Sequence, residues 1–161
     1  MSAPPVVDPA SLVAFWRGAL ADGVIDPETP LPSVVEAFGD SPEMADSLIE
    51  LVVHGPKRAT VASLAELEHD GAAVPEVGAM WIATDGAGRP RALIRTTEVR
   101  IGPLSSVDDA FAWDEGEGDR TRPDWLASHE RYFARVLPTL GITFDPDMAT
   151  VFERFEVLHR D

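Results

Sequence analysis

The hydrophobic pattern of this 161-residue chain changes period partway along, and that change limits the folds open to it. Up to about Gly71 the apolar residues recur at helical spacing; over 78–99 they alternate or run in short β-branched blocks. Leu12, Val13, Phe15, Trp16, Ala19 and Leu20 share one face of a predicted helix over 9–22, which Gly23 ends. Residues 23–40, with the turn pairs Asp26-Pro27 and Thr29-Pro30, are expected as a connecting loop with at most a short helix. Ser41-Pro42 reads as an N-cap followed by proline in the first helical turn, and this helix runs to His54 before Gly55-Pro56 stops it. A third helix is expected over 59–68, closed by Gly71. Then come a strand over 78–84, a hairpin connection at 85–88 and a partner strand over 89–99. A short helix to Trp113 and a long helix from Thr121 lead to a final alternating strand over 150–158. This mixture predicts an α+β fold with a small antiparallel sheet or barrel.

The length suits one domain. No apolar run reaches the roughly 18 residues a membrane span needs, and Met1-Ser2-Ala3-Pro4-Pro5 does not resemble a secretory signal, so the cytoplasm is the expected compartment. The absence of cysteine excludes disulfides, thiolate metal sites and thiol nucleophiles. The formal net charge is -15, from 28 acidic and 13 basic residues. A field of that sign opposes coating of DNA or long RNA, while leaving room for a small ligand or a short strand on a local patch.

Twelve of the basic residues are arginines and one is a lysine, Lys57. Composition drift would explain the bias. So would a need at position 57 for an amine, which can lose its proton where a guanidinium cannot. Lys57 lies in Gly55-Pro56-Lys57-Arg58-Ala59-Thr60, where Gly55 eases the turn. If Ala59 starts a helix, Lys57 and Thr60 face one way and the free helix N–H groups can receive an oxyanion. The plainer alternative is a helix–helix corner with a solvated lysine. Asp114-Glu115-Gly116-Glu117-Gly118-Asp119 is either a solvated acidic loop, a divalent-metal site or the source of a carboxylate for the lysine. His129, four residues after Trp125 on the long helix, is either a general base or a buried, hydrogen-bonded histidine. No nucleophile elbow, phosphate loop, dinucleotide fingerprint or histidine zinc spacing is present.

Six elements in order then carry a resemblance. They are AFGDSPEMADSLIELVVHG, GPKRAT, the strand from Gly78, TTEV, AWDEGEGD with WLASHERYF, and VFERFEV. Over residues 35–158 the chain resembles the longer ASCH-domain proteins of bacteria. The resemblance implies a PUA-like β-barrel flanked by helices, with a cleft beside the G-x-K-x-x-T loop. It divides the chain into an N-terminal helical extension, 1–34, and an ASCH domain, 35–161, forming one compact unit. It also implies work on RNA or nucleotides, either as an enzyme or as a non-catalytic module that binds RNA or a nucleotide in the same cleft. Short family members hydrolyse the amide of N4-acetylcytidine with a lysine, a threonine and a glutamate; longer ones are associated with cleavage of single-stranded RNA. Carried over by motif, the catalytic residues are Lys57, Thr60 and Glu115, with Glu117 the alternative carboxylate. Lys57 would take the Thr60 proton, and Thr60 would attack the acyl carbon. Gly55, Arg58, Glu117, Trp113 and His129 fall on the substrate side. No cofactor is expected, and a metal at the acidic loop remains the alternative. The expected partner is a small nucleoside or a short single strand of RNA.

Overall fold

The computed structural model describes residues 5–161. In chain order the elements are α1 (Pro9–Ala21), β1 (Val35–Ala37), α2 (Pro42–Val53), β2 (Ala59–Ser63), α3 (Leu64–Asp70), β3 (Met80–Thr84), β4 (Pro90–Pro103), α4 (Asp109–Glu115), α5 (Arg122–Val136) and β5 (Ala149–Arg160). The fold is therefore α+β. The strands form one sheet in the order β1-β3-β4-β5-β2.

Four helices start where the sequence places a capping side chain. Asp8, Ser41, Asp108 and Thr121 each accept from a backbone N–H three residues on, which satisfies one of the first-turn donors that have no helical partner.

Two expectations give way. Residues 35–37 form β1 rather than loop or helix, and β1 pairs in parallel with β3, so the sheet is mixed rather than antiparallel. A three-residue strand is too short to show alternation; pairing with β3 creates it. The helix expected from Ala59 is instead β2, and α3 begins only at Leu64. Ala59 through Ser63 pair in continuous antiparallel register with Arg154 back to Thr150 on β5. Five residues of sheet pairing outweigh alanine's helical preference, which is worth under about 1 kcal/mol per residue.

The described residues divide into two compact units. The first takes in the chain as far as Gly55 together with Gly78–Arg95 and Glu156–Asp161. Its core joins Phe15, Trp16 and Ala19 of α1 to Ile25, Ile82 and Leu93. The second comprises Pro56–Val77 and Thr96–Phe155. Its core sets Ala59 and Phe152 of the sheet against Leu104, Phe111, Trp125 and Phe133. Phe111 stands edge-on to both Trp125 and Phe152, an arrangement the ring quadrupoles favour. No helix among the described residues is long and apolar enough to cross a membrane.

Candidate active site

The second unit holds a buried polar cluster centred on Lys57. Gly55-Pro56 stops α2, because proline lacks the N–H that would continue it. Arg58, next but one after Pro56, is tied on both sides. Arg58 N–H donates to Asp114 O at 2.7 Å, and Arg58 O accepts from Phe155 N–H at 3.0 Å. Lys57 is thereby held with 1% of its surface exposed. Its Nζ donates to Ala59 O at 2.9 Å and to Glu117 Oε1 at 2.6 Å, and lies 3.8 Å from Glu115 Oε1.

Both carboxylates reach one ammonium because of the residue between them. Glu115 ends α4, and Gly116 follows at φ +72. A Cβ at position 116 would stand 2.7 Å from Lys57 N. Left-handed backbone and close approach coincide there, so glycine alone fits. The turn brings Glu117 back over the lysine.

Helix α5 supplies the rest. Trp125 and His129, one helical turn apart, stack with ring centroids 3.7 Å apart. Trp125 Nε1 donates to Glu115 Oε2 at 2.5 Å. His129 Nε2 lies 2.7 Å from Glu115 Oε1, and its Nδ1 lies 2.7 Å from Trp125 O. Each ring nitrogen faces an oxygen acceptor, so only the doubly protonated imidazolium satisfies both. Burial alone would lower the His129 pKa; the Glu115 charge and hydrogen bond, with Trp125 O, raise it on balance. Burial would raise Glu115. The charges of His129 and Lys57 and the two ring N–H donors outweigh that and hold it at about 2. Glu117 moves the other way: burial and the Glu115 charge raise it against the pull of Lys57.

The four residues Lys57, Glu115, Glu117 and His129 are thus brought together. Neither glutamate excludes the other: Glu115 is anchored from behind and Glu117 covers the front. His129 holds Glu115 and is the buried, hydrogen-bonded histidine of the two alternatives. Thr60 lies on β2, half-buried, in register with Glu153 of β5. It therefore caps no helix, and the helix N–H groups expected beside Lys57 are absent, since that segment is strand. Arg58 turns its Nη1 onto Lys57 O at 2.5 Å and braces the loop. Gly55 has no left-handed φ; a Cβ there would press on Leu51 O at 3.0 Å. Trp113 is 57% exposed, with the Arg120 guanidinium 3.6 Å from its ring centroid. Trp125 and Gly116 are the site residues that motif reasoning passed over; the four-residue spacing to His129 and the doubled Glu-Gly were the available signals.

Ligand atoms of Glu115, Glu117 and His129 fall within 4.8 Å of one another, a set able to hold a cation. Lys57 Nζ already occupies the space between the two carboxylates, so a divalent ion would have to displace it from Glu117.

A sequence model of the ASCH domain matches residues 34–159, and the chain belongs to that family. Its α+β fold is accordingly of the PUA-like type. Among solved structures it is similar to a protein from Enterococcus faecalis V583 assigned to the DUF984 family, at 37% identity and a TM-score of 0.79, over 92% of this chain and 88% of that one. It is also similar to an ASCH domain from Lactobacillus crispatus JV V101, at 27% identity and a TM-score of 0.82, over 94% and 96% of the two chains. No curated protein matches it.

Proposed function

We propose that this protein hydrolyses the amide of a small acylated nucleoside of the N4-acetylcytidine type. The observation that carries the proposal is a fully buried lysine, held between two carboxylates, three residues before a threonine at the start of an edge strand. Thr60 Oγ is the nucleophile that attacks the acyl carbon. Lys57 Nζ is a donor in both hydrogen bonds given above, which favours a donor role over proton acceptance. It stabilises the negative charge that develops on the acyl oxygen, the task otherwise given to backbone N–H groups. Glu115, fixed by Trp125 and His129, sets the position of that ammonium. A neutral nucleoside also suits a chain of net charge -15 better than a polyanion does.

The second reading is cleavage of single-stranded RNA. It is favoured by exposed Trp113, on which a base could stack beside Arg120.

The test is chromatography of N4-acetylcytidine incubated with wild type and with Lys57→Ala. Cytidine from the wild type and none from the variant is the expected result. Intact substrate with both proteins would overturn the amidohydrolase reading and leave RNA cleavage or ligand binding.

A further inference from the structure

The second unit holds a further buried carboxylate, on the sheet. Glu153 of β5 is 7% exposed, in the middle of the sheet. Its register partner across the antiparallel β2–β5 pair is Thr60. Directly opposed residues of such a pair project to the same face with Cβ atoms about 4.5–5.5 Å apart. On the other flank, Thr96 of β4 is 1% exposed and donates its Oγ1 to Glu153 Oε1 at 2.7 Å. Thr96, Glu153 and Thr60 thus come from three neighbouring strands, β4, β5 and β2. A buried carboxylate is costly unless it is hydrogen-bonded, and an apolar side chain would serve a purely structural position in a strand better.

We infer that Glu153 is the proton acceptor for Thr60. The inference rests on Thr60 being the nucleophile of the proposed reaction, and it completes that reaction by naming the base. Thr60 Oγ–H gives its proton to the Glu153 carboxylate as Oγ forms a bond to the acyl carbon, and the carbonyl π pair moves onto oxygen. That pair returns as the C–N bond breaks, and the departing exocyclic amine takes the proton from Glu153. Water then loses a proton to Glu153 and attacks the acyl-threonine. The C–Oγ bond breaks, Oγ recovers the proton, and the acid product leaves. Thr96 keeps the carboxylate turned along the sheet. Division of labour follows: Lys57 stabilises the oxyanion and Glu153 moves the proton.

The experiment reads the reactivity of Thr60 itself and needs no natural substrate. The protein is exposed to p-nitrophenyl acetate, and acetylation at Thr60 is measured by peptide mass spectrometry. Glu153→Gln keeps the size of the side chain and an oxygen to accept from Thr96. It is expected to cut Thr60 labelling by about a hundredfold, the ordinary contribution of a positioned base. Glu153→Asp retains a carboxylate, and partial labelling is expected. It serves in place of the glutamine variant should that one not fold, a circular dichroism spectrum deciding. Equal labelling of wild type and Glu153→Gln, or no Thr60 label in the wild type, would overturn the inference. Should the glutamine variant not fold, labelling of Glu153→Asp no better than of a Thr60→Val blank would do the same. Glu153-dependent labelling in a protein that leaves N4-acetylcytidine intact would uphold Glu153 and reject only the substrate.

Discussion

Glu115 shows how far one residue's surroundings can override its burial. Fully enclosed, it is nevertheless held at about 2 against an ordinary 4.5, because two cations and two ring N–H donors converge on it. The folded state therefore keeps a carboxylate that the unfolded chain would protonate. That contribution is complete above about pH 4.5 and is lost as pH falls toward 2. His129 has the opposite sign. Its pKa is raised from 6.5, so its contribution is full below that value and fades as pH rises through the folded one. Glu117, also raised, shares this second sign from its ordinary 4.5 upward. Denaturant unfolding of wild type and Glu115→Gln at about pH 7 and about pH 3 isolates the first effect. Between those conditions the wild type should lose about 2 kcal/mol more than the variant. Parallel losses in the two proteins would mean that Glu115 is not held low. Glutamine at 115 also leaves Lys57 and His129 without their shared anion, so the variant should be the weaker protein at neutral pH.

The element that departs most from expectation is β2, and it carries Thr60. Alanine and the three-residue spacing from Lys57 argue for helix; the ladder to β5 makes it strand. A trace of the competition survives at its end. Ser63 precedes α3 at the position a capping serine would take, yet it makes no capping hydrogen bond, and its buried Oγ has no partner among the described residues. A buried hydroxyl without a partner costs about 1–3 kcal/mol. Ser63→Ala is therefore expected to be stabilising by about 1 kcal/mol, a rise in Tm of roughly 2–4 °C for a chain of this size. A fall in Tm on thermal unfolding would show that the hydroxyl is satisfied by ordered water. By contrast α2 and α5 are legible in the sequence, since Ser41-Pro42 and Thr121-Arg122-Pro123-Asp124 complete their start signals within a few residues.

For the whole molecule the governing quantity is the net charge of -15. Binding of a nucleic-acid strand releases counterions and weakens steeply with salt, whereas a neutral nucleoside releases none. The kcat/KM for N4-acetylcytidine should therefore change less than about twofold between about 50 and 200 mM salt. A fall of an order of magnitude or more over that range would favour the RNA reading. Sequence by itself determined the α+β class, most helix starts, the long strands and Lys57 as the residue to watch. Those features depend on periodicity and on capping groups close together along the chain. Only the tertiary structure decided that β1 pairs in parallel, that residues 59–63 are strand, that Glu115 and Glu117 share one lysine, and that Thr60 pairs in register with Glu153. Lys57 and Glu117 are 60 residues apart, and Thr96 and Glu153 are 57 apart. Contacts at that separation are set by sheet register and by how α4 and α5 pack, and no local pattern encodes either.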